Sequence, residues 1–229
     1  LSRLTAEKQS LLEIYRRLFA HFGPQHWWPA EEPFEVIVGA ILTQSTTWTS
    51  VEKAISNLKK AGLLSPAALR SIPAGKLAEL IHSCGYFNAK AVKLKAFAEW
   101  LGVQYHDSLQ EMFARDTLEL RDELLQVHGI GEETADSILL YAGNKPVFVI
   151  DAYTRRIIER TGINPGGQKY RHYQELFMRN LPPDAAMFNE YHALLVALGK
   201  NVCRKRNPLC DHCCLRDICG YASFKRGRT

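Results

Sequence analysis

No stretch of this chain strings together the ~20 apolar residues that a membrane-spanning helix requires, and no basic segment leads into an apolar one in the manner of a secretion signal. The expectation is a protein with no membrane association, working in the cytoplasm or on the nucleoid. Internal repeats and low-complexity tracts are missing, which excludes solenoids and repeat arrays. Strand signals are scarce. Residues 147–150 form a short apolar run of strand-like composition, but with no second run to pair with they read as an extended entry to a helix. Among six cysteines only one Cys-x2-Cys pair occurs, so the twin knuckles of a common zinc site are absent.

What is present suffices for a globular core: 229 residues, of which 46% are hydrophobic. The net charge of +5 is unevenly placed, because the last thirty residues, from Lys200, carry eight basic and two acidic side chains. That local +6 leaves the remainder near −1. It reads either as a solvated basic tail or as an electrostatic footprint for nucleic acid.

Taken in order, Leu1 to Phe22 places Leu4, Leu11, Leu12, Ile14, Tyr15, Leu18 and Phe19 at helical spacing, and Pro24 ends that amphipathic helix. His26-Trp-Trp-Pro29 follows as a loop. Trp27 and Trp28 are neighbours and cannot easily both face inward, so one of them lines a surface or pocket; packing of the early core is the alternative. Phe34 to Leu42 is apolar nearly all round, as a buried central helix would be, and a further helix runs from Val51 to Lys60. Shorter helices are expected at 66–70, 74–82 and 89–100, with Gly62, Gly85 and Gly102 as stop signals, and others at 170–180 and 188–198 around Pro182-Pro183. Lys90, Lys93 and Lys95 read as a solvated face.

Leu124 to Leu140 reads as helix, glycine hairpin, helix. Gly129 and Gly131 bracket Ile130, so the backbone can turn with positive φ, and Thr134 with two acidic residues before it suits the start of a helix whose free N–H groups favour an anion. A plain turn and a phosphate clamp are both compatible with it. After the hairpin comes one carboxylate, Asp151, ahead of Ala-Tyr-Thr-Arg, where an aspartate also serves as a helix N-cap. Cys203-x6-Cys210-x2-Cys213-x5-Cys219 puts four thiols within 17 residues, which points to a metal or cluster site because a cytoplasmic chain seldom keeps disulfides.

Val127-His-Gly-Ile-Gly-Glu-Glu-Thr-Ala135 followed by Ile150-Asp-Ala-Tyr-Thr-Arg-Arg156 resembles the helix-hairpin-helix DNA glycosylases of the endonuclease III superfamily. The resemblance implies an all-α fold of two helical lobes: a six-helix bundle carrying the hairpin over residues 31–141, and a second lobe from 1–30 plus 142–229, with the aspartate in the cleft between them. It implies a DNA N-glycosylase of base excision repair, acting as a monomer on damaged double-stranded DNA, with Gly129, Ile130, Gly131 and Thr134 on the DNA backbone and Asp151 as the catalytic group. Gln44 resembles the glutamine that fills the gap left by an extruded nucleotide, a loop hydrogen bond being its plainer role. The cysteine spacing matches the family's [4Fe–4S] loop, which makes Cys203, Cys210, Cys213 and Cys219 the ligands and leaves Cys214 and Cys84 as ordinary residues; a structural zinc is the alternative. Tyr191, His192 and Lys200 resemble positions beside the active site, Lys200 being a candidate contact for a phosphate or for Asp151.

One departure bears on the reaction. Bifunctional members carry a nucleophilic lysine in the hairpin where this chain has Glu133, and a carboxylate cannot form a Schiff base. A monofunctional enzyme without strand-cleaving lyase activity is expected. Trp27-Trp28-Pro29, the segment ending in Trp48, and the Ser83–Lys90 segment resemble the 3-methyladenine glycosylase branch, in which an aromatic from each of the first two segments sandwiches the flipped base. N-alkylated purines are cationic and stack well on indoles. A mismatch glycosylase for uracil or thymine is the second reading, and a non-catalytic DNA-binding protein the third.

Overall fold

The computed structural model describes residues 3–226, with side chains placed for residues 6–224; among these, regular structure is helical throughout and no strand occurs. The helices are α1 (Arg3–Phe22), α2 (Pro33–Leu42), α3 (Trp48–Lys60), α4 (Pro66–Ser71), α5 (Ala74–Leu80), α6 (Phe87–Tyr105), α7 (Leu109–Ala114), α8 (Thr117–Gln126), α9 (Glu132–Ser137), α10 (Ala152–Thr161), α11 (Tyr170–Asn180), α12 (Ala185–Asn201) and α13 (Gly220–Arg226). A π-turn, Ile138–Ala142, continues α9. Two compact units result: Trp28–Lys145 forms a middle unit, and the segments ending at Trp27 and beginning at Pro146 form a terminal unit.

Side chains set most of the helix starts. Thr47, Ser65, Ser108, Asp116, Asp151 and Asp184 each accept a first-turn N–H, and Pro33 and Pro66 occupy the position where no donor is needed. In the middle unit α2 is the hub. Nine of its ten residues are buried, eight of them apolar or glycine and the ninth Glu35, which pairs with Lys59 at 3.0 Å, and α3, α6, α9 and the π-turn pack around it. Each of its fully enclosed Ile and Leu side chains stabilises the unit by about 1.5–3 kcal/mol of transfer free energy.

Two expectations for α6 fail here. Gly102 does not stop the helix, which runs on to Tyr105; instead a Cβ at Gly102 would stand 2.6 Å from the Arg70 guanidinium, so the glycine permits a close approach. Nor do the lysines form a solvated face. Lys90 is 2% exposed and donates to the Cys84 carbonyl at 2.7 Å, with burial lowering its pKa. Lys95 donates to the carbonyls of Leu69, Arg70 and Ile72, the unpaired C-terminal end of α4. Lys93 reaches Gln44.

In the terminal unit α1 packs on α11 and α12, and α10 on α12 and α13. Leu11, Ile14 and Leu18 face inward, while the Leu4 side chain lies outside the described residues. Gly23, at φ +68°, closes α1 one residue before Pro24. Val147–Ile150 is buried and belongs to neither a helix nor a strand. Its polar backbone is satisfied by side chains instead: the Gln174 amide donates to the Phe148 carbonyl at 2.9 Å, and the Ile150 N–H donates to the Tyr170 hydroxyl at 3.1 Å. Phe148 stacks on Phe177 with ring centroids 3.9 Å apart, and Phe188 and Tyr191 close edge-on around it.

Candidate functional site

The hairpin in the middle unit is built from α8, the turn 127–131, and α9. Of the two bracketing glycines only Gly129 has positive φ, at +83°; Gly131 is extended, at φ −98° and ψ −179°, and caps α9. Ile130 anchors the turn. Its side chain is 5% exposed and its N–H is donated to the Val127 carbonyl at 3.0 Å, so its role is to hold the turn's shape. Thr134 is 7% exposed, and its hydroxyl accepts from the Gln44 amide at 3.0 Å; the same amide donates to the Gly129 carbonyl at 3.0 Å. Gln44 is thus a cross-brace of the hairpin in this structure, which is the loop hydrogen bond weighed against its gap-filling role. Arg121 of α8 grips both carboxylate oxygens of the fully buried Asp136 at 2.7 and 3.1 Å, pinning the two helices of the motif together.

Trp28 and Trp48 do meet. Their rings lie edge to face with centroids 5.1 Å apart, and Tyr141 joins at 5.3 Å from Trp28. A base cannot lie between indoles in that arrangement; stacking requires either a free face or a swing of one ring. Trp28 fits because Gly39 of α2 has no Cβ, which would stand 2.8 Å from the indole. Trp48 is oriented by donating its N–H to Glu52 at 2.8 Å. Tyr141 carried no motif in the sequence, and the π-turn is what brings it to the tryptophans. Trp27, half-buried, is the last residue of the terminal unit's first segment, and Pro29 is exposed.

Asp151, in the terminal unit, is an N-cap: its Oδ1 accepts the Thr154 N–H at 2.7 Å. Its Oδ2 lies 3.8 Å from Nε2 of His192, and both side chains are largely buried, at 12% and 8% exposed. Burial pushes the imidazole below its ordinary pKa of 6.5, against the opposing pull of the Asp151 carboxylate. The result is a neutral ring beside a carboxylate whose second oxygen is not consumed by capping. Lys200 is exposed in the last turn of α12.

The cysteine loop follows α12. Cys203, Cys210, Cys213 and Cys219 line one pocket together with Arg160, Leu209 and Tyr221; Cys214 is not in its wall. No three His, Cys, Asp or Glu side chains among the described residues converge closely enough to hold a single metal ion. The four thiols share the wall of one small space, a donor set of the kind that suits soft metals. Arg160 ties the ends of the loop: it donates to Cys203 Sγ at 3.2 Å and to the Arg204 carbonyl at 2.8 Å, while its own carbonyl accepts from Cys219 at 3.2 Å. Arg156 donates to the carbonyls of Cys203 and Gly199, each at 2.9 Å. Helix α10 therefore has Asp151 at its start and the cysteine loop bound along its later turns.

Comparison with known proteins agrees with this architecture. The profile described as HhH-GPD superfamily base excision DNA repair protein matches residues 38–183. A Methanocaldococcus jannaschii protein named as a DNA repair glycosylase is 45% identical over 213 residues, covering 92% of this chain and 96% of the relative. The Sulfolobus acidocaldarius endonuclease III is 32% identical over 189 residues, covering 82% of each. Among solved structures, the H. pylori 3-methyladenine DNA glycosylase bound to 1,N6-ethenoadenine superposes with a TM-score of 0.74 at 27% identity, over 85% of this chain and 97% of that one. The match spans the helices, the hairpin and the segment that holds Asp151, and the chain belongs to the HhH-GPD superfamily of base excision DNA repair glycosylases, in its endonuclease III-like group.

Proposed function

We propose that this protein is a monofunctional DNA glycosylase that extrudes N-alkylated purines such as 3-methyladenine from duplex DNA and hydrolyses their N-glycosidic bond. The observation that carries the substrate is the Trp28, Trp48 and Tyr141 cluster, in which a swing of one indole opens a ring face for the base. A cationic alkylated purine gains about 0.5–2 kcal/mol from each electron-rich ring it stacks on. A neutral pyrimidine gains less and needs matched hydrogen-bond donors and acceptors. The H. pylori 3-methyladenine glycosylase, with its bound ethenoadenine, supports the purine reading.

In this proposal Asp151 stabilises the oxocarbenium-like sugar and orients or deprotonates the attacking water, through the oxygen that capping leaves available. The alkylated base departs readily because it is already charged, so one carboxylate and no general acid suffice. The hairpin residues Gly129, Ile130, Gly131 and Thr134 hold the DNA backbone. Gln44 lines the gap left by the extruded nucleotide while it braces the hairpin, Trp27 and Pro29 border the base, and Lys200 contacts a phosphate or Asp151. Glu133 has no amine for attack on C1′, so the strand is left intact. The protein works as a monomer on the cell's DNA.

Cys203, Cys210, Cys213 and Cys219 would hold a [4Fe–4S] cluster, which when bound supplies a rigid structural core for the loop. The loop's own Arg204, Lys205, Arg206 and Arg216 are then held as a basic surface for a phosphate backbone.

The deciding experiment is excision from methylated DNA. Release of 3-methyladenine by the wild type, lost in Trp48→Ala, is expected. Excision of uracil from G·U duplexes without release of methylated purines would replace this reading with the mismatch glycosylase.

A further inference from the structure

Lys93 sits on α6 at the foot of the hairpin, half-buried, and no motif marks it. Its ammonium donates to Gln44 Oε1. The amide at the other end of Gln44 donates to both the Gly129 carbonyl and the Thr134 hydroxyl. The lysine's carbon stem lies where a Cβ on residue 129 would be, so the same side chain both packs against the turn and anchors its brace. Gly129 is also the one hairpin residue at positive φ. Three elements thus converge on the point where the turn takes its shape: the loop after α2, helix α6 and the start of α9.

We propose that Lys93 is a positioning residue for the DNA-binding hairpin: acting through Gln44, it holds the Gly129–Thr134 segment in the conformation that binds a phosphate, without touching the phosphate itself. The inference rests on the reading of the hairpin as the DNA contact. Physically, the ammonium orients the Gln44 amide by holding its oxygen, so the two N–H groups point at the turn and not at water. A charge-assisted bond in a half-buried setting is among the stronger hydrogen bonds available for this. Lys90 and Lys95, on the same helix, grip other carbonyls and leave the hairpin alone.

Binding of a fluorescent duplex carrying a tetrahydrofuran abasic analogue tests it, measured across a salt series for the wild type, Lys93→Met, Gln44→Ala and the double variant. Met keeps the stem over Gly129 and removes only the charge. Lys93→Met is expected to weaken binding roughly tenfold, with an unchanged slope of log affinity against log salt, and the double variant to bind no more weakly than Gln44→Ala alone. Faster amide hydrogen exchange at Gly129–Thr134 in DNA-free Lys93→Met is the accompanying sign of a loosened turn. A slope reduced by about one, additive with Gln44→Ala, would make Lys93 a direct phosphate contact and overturn the brace. Wild-type affinity and exchange in Lys93→Met would overturn it too. Failure of the wild type to bind duplex at all would overturn the hairpin reading beneath it.

Discussion

Asp151 Oδ1 accepts the Thr154 N–H at 2.7 Å, so the candidate catalytic carboxylate is also the cap of helix α10. The two roles separate by substitution. Asn caps a helix about as well as Asp, whereas Ala costs roughly 1 kcal/mol. Asp151→Asn should therefore keep the wild-type melting temperature and lose excision by about 10²–10⁴-fold, and Asp151→Ala should lose both. Single-turnover excision alongside thermal melts checks this; an active Asp151→Asn enzyme would remove Asp151 from the chemistry.

The buried His192 makes stability depend on pH. Its native pKa lies below 6.5, so in mildly acidic solution the unfolded chain binds a proton that the native chain does not. The contribution is fully present above pH 6.5 and is lost as pH falls through the lowered native value. Melting temperature should fall between neutral pH and pH 5 in the wild type and fall less in His192→Gln. Parallel curves for the two proteins would contradict the assignment.

Arg121 and Asp136 offer a test of the motif's frame. Asp136 is fully buried, and removing its bidentate partner leaves the carboxylate poorly compensated. Arg121→Met is expected to destabilise the protein by about 3–5 kcal/mol in urea titrations, with Asp136→Asn in the same chain recovering part of the loss. Recovery arises because the neutral amide has little charge to desolvate.

Borohydride separates monofunctional from bifunctional chemistry. The wild type should give no trapped protein–DNA adduct on duplexes containing the excised lesion, and Glu133→Lys should give one, because it places in the hairpin an amine able to form a Schiff base. Trapping by the wild type would show that another lysine serves.

Iron content addresses the loop. Ser at Cys203, Cys210, Cys213 or Cys219 should abolish the brown colour and the bound iron, while Cys214→Ser keeps both, since Cys214 stands outside the shared pocket. Stoichiometric zinc in a colourless anaerobic preparation would overturn the cluster.

Much of this was legible along the chain because its determinants are local. A run of helical length that is apolar nearly all round reads as a buried helix, and α2 is one. Asp151 ahead of Ala-Tyr-Thr-Arg had to cap, and Gly129 between two periodic segments had to turn. The cysteine spacing singled out four thiols, and the structure places those four around one pocket.

What tertiary structure alone decided are contacts between residues far apart in sequence. Gly102 had the composition of a helix stop, yet Arg70, thirty-two residues earlier, made it a point of close packing inside α6. Lys93 looked solvated because a lysine's default partner is water; only the fold places Gln44 and the hairpin within its reach. Tyr141 belongs with Trp28 through the π-turn, a backbone irregularity without a sequence mark. Propensity, capping and spacing act over a few residues and are written in order along the chain. Which amide a buried lysine holds, or which ring meets which, depends on packing that closes only when the whole unit has folded.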